Sequence, residues 1–554
     1  MSKDRLIYLP LGGAGEIGMN AYVYGYGAPG KERLILVDLG VTFPDMDTTP
    51  GVNLIMPDVS WLVERADQLE GIFITHAHED HVGAIGRLYR DLDAPIYARA
   101  FTAHHARRKM EEAGQNPDEV VTVGAYPERI KVGPFDVSFV PISHSIPESS
   151  GLVIDTPAGR IAHTGDFKID KTPGVGEAFD EEMWREATKG RVRALMCDST
   201  NVFSKSAGRS EAELEPEIRS MIKAAPHMVV ATTFASNVAR VKTLAEAGIA
   251  AGRSVCLLGR AMRRMVEAGV ESGVLTDFPS TVSVEEARDI ARQDLMLIVT
   301  GSQGERRAAS AQLARGKYLG LSLSEGDTFL FSSKVIPGNE RGVIRILNAF
   351  SEMGVDVVSD DDRYHVSGHA NRPDLEAMHR IVDAEVIVPM HGEHRHLREH
   401  AKIAKANGAQ SIVAVNGAMV DLTGATPHVV DHVETDRVYL DGDILIGAMD
   451  GIVRDRIRLA LNGHVIVTVA IEDDEPLGEP WVELMGLPDI GKSRAPLVDI
   501  LEADLGQALM RAKAKTLKDD DKIEEDLKRI ARKTCSDEIG RKPEVTIVVS
   551  RLVS

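Results

Sequence analysis

Cysteine is scarce in this sequence: the 554 residues include only Cys197, Cys256 and Cys535, which are far apart. No two of them have the C-x-x-C spacing of a thiolate zinc site, so that kind of site is excluded. So few cysteines fit a protein of the reducing cytoplasm better than a disulfide-stabilised secreted protein.

Long apolar runs are also lacking. No run approaches the roughly 18 residues that a membrane-spanning helix needs. The N-terminus, MSKDRLIYLPLGG, contains an acidic residue and lacks the apolar stretch of a secretory signal. We therefore expect a cytoplasmic protein that has no membrane as a partner.

Basic residues are outnumbered, since 64 Lys and Arg stand against 84 Asp and Glu, for a net charge of −20. This balance argues against a protein that coats nucleic acid, which would usually be basic. It does not exclude a nuclease whose RNA channel is locally basic and whose metal ions supply positive charge. Bulk charge therefore bears on solubility and not on function.

The order of β-rich and helical patterns predicts an α/β protein of about three domains. Short strands dominate the beginning, whereas helices and strands alternate regularly from about Glu211 to Leu347, which is typical of a parallel sheet. Histidine-rich loops after the next strands are expected to complete a site begun in the first part, which makes the middle an insertion. The predicted segments are a layered domain (1–208), an inserted parallel-sheet domain (209–347), the rest of the layered domain (348–450), a linker (451–465) and a C-terminal α+β domain (466–554).

A glycine-rich motif near the start resembles a dinucleotide-binding fingerprint. Gly13-Ala14-Gly15-Glu16-Ile17-Gly18 follows a strand-like run and precedes Asp38 by about 20 residues. That function needs a helix after the third glycine, whose N-terminus holds the pyrophosphate. The residues that follow, MNAYVYGYG, favour a second strand instead. We therefore interpret the motif as a turn between strands.

The strongest chemical signal is a cluster of histidine and carboxylate side chains directly after the strand-like run GIFIT, namely His76, His78, Asp80 and His81. Mixed imidazole and carboxylate ligands suit Zn²⁺ or Mn²⁺. The alternative is a solvated polar loop, but three histidines in six residues are improbable by chance when the chain has only 18. The pattern predicts a metal site.

Further ligands are expected from other strand ends, because two ions need about seven donors. His144, Asp166 and His391 each follow a strand-like run. A carboxylate can bridge two cations, so Asp166 is the expected bridge. We assign His76, His78 and His144 to one ion, Asp80, His81 and His391 to the other, and Asp166 to both. Asp38 is a candidate acceptor for the N–H of a ligand imidazole. Two such ions activate water without a serine or cysteine nucleophile.

These residues, in this order, resemble the metallo-β-lactamase superfamily. MCDSTN with Asp198, HVSGHA with His369 and PMHGEH with His391 resemble the additional motifs of its β-CASP nucleases, and the whole chain, including SSKVIPGNE and TGSQGE, is similar to the bacterial ribonuclease J family. The resemblance implies a metallo-β-lactamase αββα sandwich interrupted by a parallel-sheet β-CASP domain, followed by a small α+β domain. It also implies 5′→3′ exoribonuclease activity on 5′-monophosphorylated single-stranded RNA, with endonucleolytic cutting, in mRNA decay and rRNA maturation.

Roles carried over by this resemblance extend the site. Asp198 would orient His369, which would protonate the leaving 3′-oxygen; Asp80, Asp198 and His369 are the expected catalytic residues. A helix N-cap is the alternative for Asp198, and a tight turn is the alternative for HVSGHA. Contacts to a substrate phosphate are implied for Ser236, Asn237, His365, Val366, Ser367, Gly368 and His369.

Several finer expectations complete the interpretation. The cofactors would be two divalent ions, Zn²⁺ or Mn²⁺ with Mg²⁺ as an alternative. Asp45, Asp47 and Asp443 are candidates for a structural Ca²⁺, although solvated turns are the alternative. Arg306 and Arg307 depart from the family pattern and either add charge along the RNA path or begin a helix. The resemblance also implies a homodimer or homotetramer and partners in an RNA-degradation complex.

Two other functions share parts of this pattern. A small-molecule hydrolase, such as a thioester hydrolase or lactonase, would share the HxHxDH motif, because a fold does not fix a function. A non-catalytic scaffold would be expected to lose metal ligands, and this sequence keeps all seven candidates. The inserted domain and the HVSGHA loop favour the nuclease.

Overall fold

The computed structural model describes residues 4–359 and 361–552. The chain divides into two compact units, one of Met1–Thr42 with Ile55–Arg437 and one of Phe43–Leu54 with Val438–Ser554. The first unit contains all seven candidate ligands of the two divalent ions, whereas the candidate Ca²⁺ ligands Asp45, Asp47 and Asp443 lie in the second unit.

Two mixed β-sheets form a sandwich in the first unit. In spatial order, the strands of the first sheet are His428–His432, Ala418–Asp421, Arg5–Gly12, Ala21–Gly27, Arg33–Val37, Leu69–Ile74, Ile96–Ala98 and Val120–Thr122. Those of the second are Gln410–Ser411, Val386–Met390, Val192–Asp198, Gly159–His163, Ser150–Thr156, Phe135–Pro141 and Ile130–Val132. Apolar residues of both sheets, such as Tyr24, Phe73, Phe139 and Met196, pack into one core.

The second sheet buries both of its faces because its strands alternate between two apolar cores. Met196 belongs to the core between the sheets, whereas its neighbours Leu195 and Cys197 pack with helices on the other face. The helices of that layer are Glu181–Ala187, Arg372–Val382 and His394–Ala406. Other helices of the sandwich are Ser60–Val63, Glu79–Val82, Ile85–Leu92 and Ala100–Glu112, with single turns at Ala66–Gln68 and Pro117–Glu119.

A separate parallel sheet interrupts the sandwich. In spatial order its strands are Ser254–Leu258, Leu295–Val299, Val229–Thr232, Thr328–Phe331 and Asp356–Val358. Helices Glu215–Ala224, Val238–Ala250 and Arg260–Glu271 cover one face. Helices Val284–Ala287, Ala309–Leu313 and Glu340–Glu352 cover the other, and short turns lie at Glu211–Leu214 and Arg292–Asp294.

This arrangement confirms the predicted interrupted α/β sandwich with an inserted parallel sheet. The inserted sheet nevertheless extends to Val358, beyond the boundary predicted at residue 347. The assignment of VDVV to the layered domain was wrong, because this run pairs with strand Thr328–Phe331 of the inserted sheet. A short apolar run does not reveal which of two sheets it will join.

The second unit has a four-stranded sheet among its described residues. Its strands are Glu475–Pro476, His464–Glu472, Trp481–Met485 and Glu544–Leu552. Helices Leu497–Met510 and Asp520–Ile539 pack on it, and Ala514–Leu517 is a shorter helix. The predicted linker at 451–465 is mostly the helix Ile452–Asn462, preceded by the hairpin Arg437–Asp441 and Ile444–Gly447. Over the part of the chain that the structure describes, no helix is both long and apolar enough to cross a membrane.

Candidate metal centre and catalytic pair

Three histidines converge at one edge of the sandwich. His76 and His78 lie in the loop after strand Leu69–Ile74, and His144 follows strand Phe135–Pro141. Nδ1 of His78 lies 3.1 Å from Nε2 of His76 and 3.1 Å from Nε2 of His144. These three donor atoms form one compact group that could hold a metal ion.

Hydrogen bonds on the far side of these rings fix which nitrogen faces the group. Nδ1 of His144 donates to the carbonyl oxygen of Gly368 at 2.7 Å, which leaves its Nε2 lone pair directed inward. Nδ1 of His76 lies 3.0 Å from the hydroxyl of Thr75, and Nε2 of His78 lies 3.1 Å from the hydroxyl of Ser236. Such partners orient ligand imidazoles in metal sites.

A second group consists of Asp80, His81, Asp166 and His391. Asp80 and His81 belong to the short helix Glu79–Val82, Asp166 follows strand Gly159–His163, and His391 follows strand Val386–Met390. Nε2 of His391 lies 3.3 Å from Oδ2 of Asp80, and Nε2 of His81 lies 3.2 Å from Oδ2 of Asp166.

The Asp166 carboxylate lies between the two groups. Its Oδ2 is 3.9 Å from Nε2 of His76 and 3.9 Å from Nε2 of His144, whereas its Oδ1 is 2.9 Å from Nδ1 of His391. The seven side chains predicted from the sequence are therefore brought together, with Asp166 in the position expected of a bridging ligand.

The electrostatics of the two groups differ. Burial lowers the pKa values of His76 and His144 well below the usual range of histidine, and it lowers the pKa of His78 to about 4. These imidazoles therefore stay neutral, as metal ligands must be. Burial opposes a charge on His81 as well, yet the carboxylates of Asp166, Asp38 and Asp80 raise its pKa to about 10. The second group thus attracts positive charge. Neutral nitrogen donors beside a carboxylate-rich pocket fit two divalent cations of the zinc or manganese type.

Asp38 supports this centre from outside. Nδ1 of His81 donates to its Oδ2 at 2.7 Å, and the backbone N–H of Thr75 donates to its Oδ1 at 2.8 Å. The residue has a left-handed backbone with φ of 62°. The structure therefore places Asp38 where the sequence predicted an acceptor for a ligand imidazole.

Two further residues near the centre were not predicted. Nδ2 of Asn20 lies 2.9 Å from Nε2 of His81 and donates to the carbonyl oxygen of Asp80 at 2.9 Å. At Gly40, a Cβ atom would lie 1.7 Å from that same carbonyl oxygen. Neither residue belongs to a motif. Both are distant in the chain from the helix Glu79–Val82, and only folding brings them to it.

The glycine-rich motif lies behind His391. No helix follows it, and the chain continues into strand Ala21–Gly27, which confirms the turn predicted between strands. Ala14 and Gly15 pair in parallel with Gly392 and Glu393, and the N–H of Gly392 donates to the carbonyl oxygen of Glu16 at 3.1 Å. The turn thus fixes the residues that follow His391, whose own φ is 47°.

Asp198 and His369 form a hydrogen-bonded pair beside the metal groups. Nδ1 of His369 lies 2.8 Å from Oδ2 of Asp198 and 4.0 Å from Oδ2 of Asp166. The backbone N–H and the hydroxyl of Thr200 donate to the other oxygen of Asp198 at 2.9 and 2.7 Å. No helix begins at this point, so the N-cap alternative does not apply. Burial opposes protonation of His369, but Asp198 raises its pKa above the usual value.

The loop 365–369 folds over this pair. Nδ2 of Asn201 donates to the hydroxyl of Ser367 at 2.7 Å and to the carbonyl oxygen of His369 at 3.2 Å. Gly368 contacts His144 through its carbonyl group, whereas Val366 is buried in the core of the inserted sheet. The loop therefore has one buried anchor and several polar groups near the metal groups.

Asn237 has a different environment from the one expected. It is buried, its side-chain oxygen accepts a hydrogen bond from the N–H of Arg240 at 2.9 Å, and its Nδ2 lies 3.3 Å from Oε1 of Glu211. Both polar groups are thus used within the protein, and the side-chain oxygen serves as the N-cap of helix Val238–Ala250. We therefore remove Asn237 from the expected substrate contacts.

The candidate calcium ligands also behave as a turn. The backbone N–H groups of Asp47 and Thr48 both donate to Oδ1 of Asp45 at 2.7 Å. Asp45, Asp47 and Asp443 form no compact donor group among the described residues. The Ca²⁺ site therefore stays a prediction, and the local hydrogen bonds to Asp45 favour the alternative of a solvated turn.

One other donor group, Cys197 with His379 and His400, lies under the helices of the second sheet. The two imidazoles are coplanar within 9°, with Nε2 atoms 2.9 Å apart. This end-to-end arrangement is typical of an N–H···N hydrogen bond. Two nitrogens bound to the same metal ion would instead point towards the ion from different directions. Nδ1 of His400 continues the chain of bonds to the hydroxyl of Ser199 at 2.9 Å.

Comparison with protein families matches most of the chain. A beta-lactamase superfamily domain matches residues 35–229, the beta-CASP domain of ribonuclease J matches 226–350, and the ribonuclease J C-terminal domain matches 451–552. A Zn-dependent metallo-hydrolase RNA specificity domain matches residues 354–414.

Similar proteins include ribonuclease J of Sinorhizobium meliloti, 39% identical over 100% of this chain and 98% of the relative. Ribonuclease J of Mycobacterium tuberculosis is 33% identical over 99% of this chain and 98% of the relative. A crystal structure of a protein of unknown function from Enterococcus faecalis V583, 17% identical, covers 75% of this chain and 100% of its own with a TM-score of 0.54, which shows the shared fold. The chain belongs to the ribonuclease J family and is a metal-dependent nuclease.

Proposed function

We propose that this nuclease hydrolyses single-stranded RNA in the 5′→3′ direction from a 5′-monophosphorylated end, with endonucleolytic cutting as a second mode. The observation that carries the proposal is the convergence of seven metal-ligand side chains with the Asp198–His369 pair at one site. The family match to an RNA specificity domain over 354–414 supports RNA as the substrate.

In this proposal each part of the site has one task. His76, His78 and His144 would hold one divalent ion, Asp80, His81 and His391 the other, and Asp166 would contact both. When bound, the ions would lower the pKa of water and neutralise charge on the phosphoryl group. Asp38, Asn20 and Thr75 keep the ligands oriented. His369, kept protonated by Asp198, donates its proton from Nε2 to the leaving 3′-oxygen.

A pocket for the terminal phosphate is proposed beside loop 365–369. Burial, together with the nearby cations of Arg240, Lys334 and Lys168, lowers the pKa of His365 to about 3. Arg240 and Lys168 are paired with Glu211 and Asp170, so Lys334 supplies the net positive charge that favours a bound anion. Ser236, Ser367 and Gly368 offer hydroxyl and backbone donors without bulk, which suits a phosphate. Val366 acts only as an apolar anchor.

The remaining expectations stay proposals. We propose Zn²⁺ or Mn²⁺ as the working ions, with Mg²⁺ as an alternative, and activity in the cytoplasm in mRNA decay and rRNA maturation. A homodimer or homotetramer and contacts with other RNA-degrading proteins are proposed from the family resemblance. The domain boundaries are proposed as predicted, except that the inserted domain extends to Val358, the layered domain ends at Arg437, and the segment 451–465 is mostly helical.

The test uses one RNA labelled at its 5′ end and prepared with either a monophosphate or a triphosphate. In Mn²⁺ or Zn²⁺ we expect labelled mononucleotides from the monophosphate form and slow release from the triphosphate form. Intact RNA would contradict the proposal, and turnover of a thioester without RNA cleavage would favour a small-molecule hydrolase. Equal release from the monophosphate and triphosphate forms would contradict the proposed phosphate pocket but leave the proposed nuclease activity intact.

A further inference from the structure

Six exposed arginines lie beyond the carboxyl ends of strands in the inserted parallel sheet. Within residues 4–359 and 361–552, none of the six has an ion pair or a side-chain hydrogen bond with another residue. We call this set the arginine rim: Arg260, Arg263, Arg264, Arg306, Arg307 and Arg341.

Sheet topology places these arginines at a common edge. All strands of this sheet run parallel, so their carboxyl ends point the same way. Arg260 begins the helix that follows strand Ser254–Leu258, Arg306 lies in the loop after Leu295–Val299, and Arg341 lies in the helix that follows Thr328–Phe331.

Hydrogen bonds join these loops to one another. The N–H of Thr300 donates to the carbonyl oxygen of Leu258 at 3.2 Å. Gln303 accepts from the N–H of Ile336 at 2.8 Å and donates to the carbonyl oxygen of Lys334 at 3.0 Å. These bonds therefore connect the loops that precede or carry the rim arginines.

The rim leads to the metal centre. Strand Val229–Thr232 lies next to Leu295–Val299, and Ser236 after its carboxyl end contacts His78 at 3.1 Å. The strand that precedes Arg260 is the second neighbour of Val229–Thr232. At the usual strand spacing that strand lies about 10 Å from Val229–Thr232. An extended RNA must therefore continue by more than one nucleotide from the metal centre to reach Arg260.

Unneutralised charge at this edge is unusual for a protein with a net charge of −20. The acidic side chains of the same loops do not pair with the arginines. Glu305 accepts from the N–H of Gln303 at 2.9 Å, and Glu340 accepts from the N–H of Gly338 at 2.8 Å. Six free guanidinium groups next to a phosphodiester-cleaving site suit a polyanion, because Arg binds phosphate through several donors.

We infer that the arginine rim binds the backbone phosphates of RNA nucleotides that lie beyond the cleaved bond, an inference that rests on the proposed function. Contacts to phosphate carry no sequence information, so the rim holds any single strand long enough to reach it. It makes affinity depend on RNA length and on salt.

The experiment measures equilibrium binding of a 5′-monophosphorylated 12-nucleotide RNA by fluorescence anisotropy across a salt series. The reference is the full-length Asp80→Ala/His81→Ala chain, which prevents cleavage. Into it we introduce Arg306→Glu/Arg307→Glu, or Arg260→Glu/Arg263→Glu/Arg264→Glu. The matched control is Lys223→Glu/Lys317→Glu, two exposed lysines without partners among the described residues; Lys223 precedes strand Val229–Thr232 and so lies at the opposite edge.

Each rim variant is expected to weaken binding by about tenfold or more at low salt and to reduce the salt slope by about 0.7 for each phosphate that the rim no longer binds. Binding of a dinucleotide and of the control should not change. Rim variants that bind the 12-nucleotide RNA like the control overturn the inference and leave the proposed function intact. If the unmodified chain fails to cleave RNA but its binding still depends on the rim, only the proposed hydrolysis falls.

Discussion

Nδ1 of His369 lies 2.8 Å from Oδ2 of Asp198, and Thr200 holds the other carboxylate oxygen through two hydrogen bonds. The carboxylate therefore cannot rotate away from the imidazole without breaking its hydrogen bonds to Thr200. This geometry fixes the protonated nitrogen of His369 and leaves Nε2 for the substrate. The pair thus combines orientation with control of protonation.

Replacement of Asp198 by asparagine is expected to move the basic limb of the pH–rate profile to lower pH. Asp198 raises the pKa of His369, so in the proposed mechanism the protonated acid is lost only as pH rises through that raised pKa. Without the carboxylate the pKa of His369 falls, so the loss of activity begins at a lower pH. We also expect a rate reduction of roughly 10²- to 10⁴-fold. Cleavage rates across pH, with metal content as control, provide the measurement; an unmoved limb would mean that His369 is not the acid.

Metal content should depend on His144 and not on buried histidines in general. The His144→Ala variant loses a donor of the three-histidine group, so we expect clearly less bound metal per chain by elemental analysis. His105 is a matched control because it is also buried, with a pKa lowered to about 3 by burial, but belongs to no donor group among the described residues. Equal metal loss in both variants would point to unfolding and not to lost coordination.

The buried ion pair between Arg240 and Glu211 is expected to stabilise the inserted domain. Nη2 of Arg240 lies 2.9 Å from Oε2 of Glu211, with both side chains almost fully buried. The Glu211→Gln variant leaves a buried guanidinium without its carboxylate, so the free energy of unfolding should fall by about 3–5 kcal/mol. Urea unfolding gives the value. The exposed pair of Glu181 and Arg185 is the comparison, where Glu181→Gln should cost less than about 1 kcal/mol.

Much of the metal centre could be predicted because its signals are local. His76, His78, Asp80 and His81 occupy a single loop and helix turn, and His144, Asp166 and His391 each follow an apolar strand. The ends of neighbouring strands meet at one edge of a sheet, so a polar residue there has a known neighbourhood.

Residues that act through distant backbone contacts could not be predicted in this way. Asn20 and Gly40 matter because the helix Glu79–Val82 approaches them, and nothing in their own segments indicates it. Asn237 follows a strand as the ligands do, yet its side chain caps a helix, because a capping bond and a substrate contact have the same sequence pattern. The helix Ile452–Asn462 was missed because a mixed charged pattern between domains also describes a linker.

The position of His391 has a consequence for the life of the protein. Its donor completes a cluster whose first member is His76, so an emerging polypeptide has no complete cluster until more than two thirds of it has been made. A ribosome-bound chain therefore cannot present the complete set of metal ligands until late in translation. Any proteolytic fragment that ends before His391 lacks the complete set of ligands.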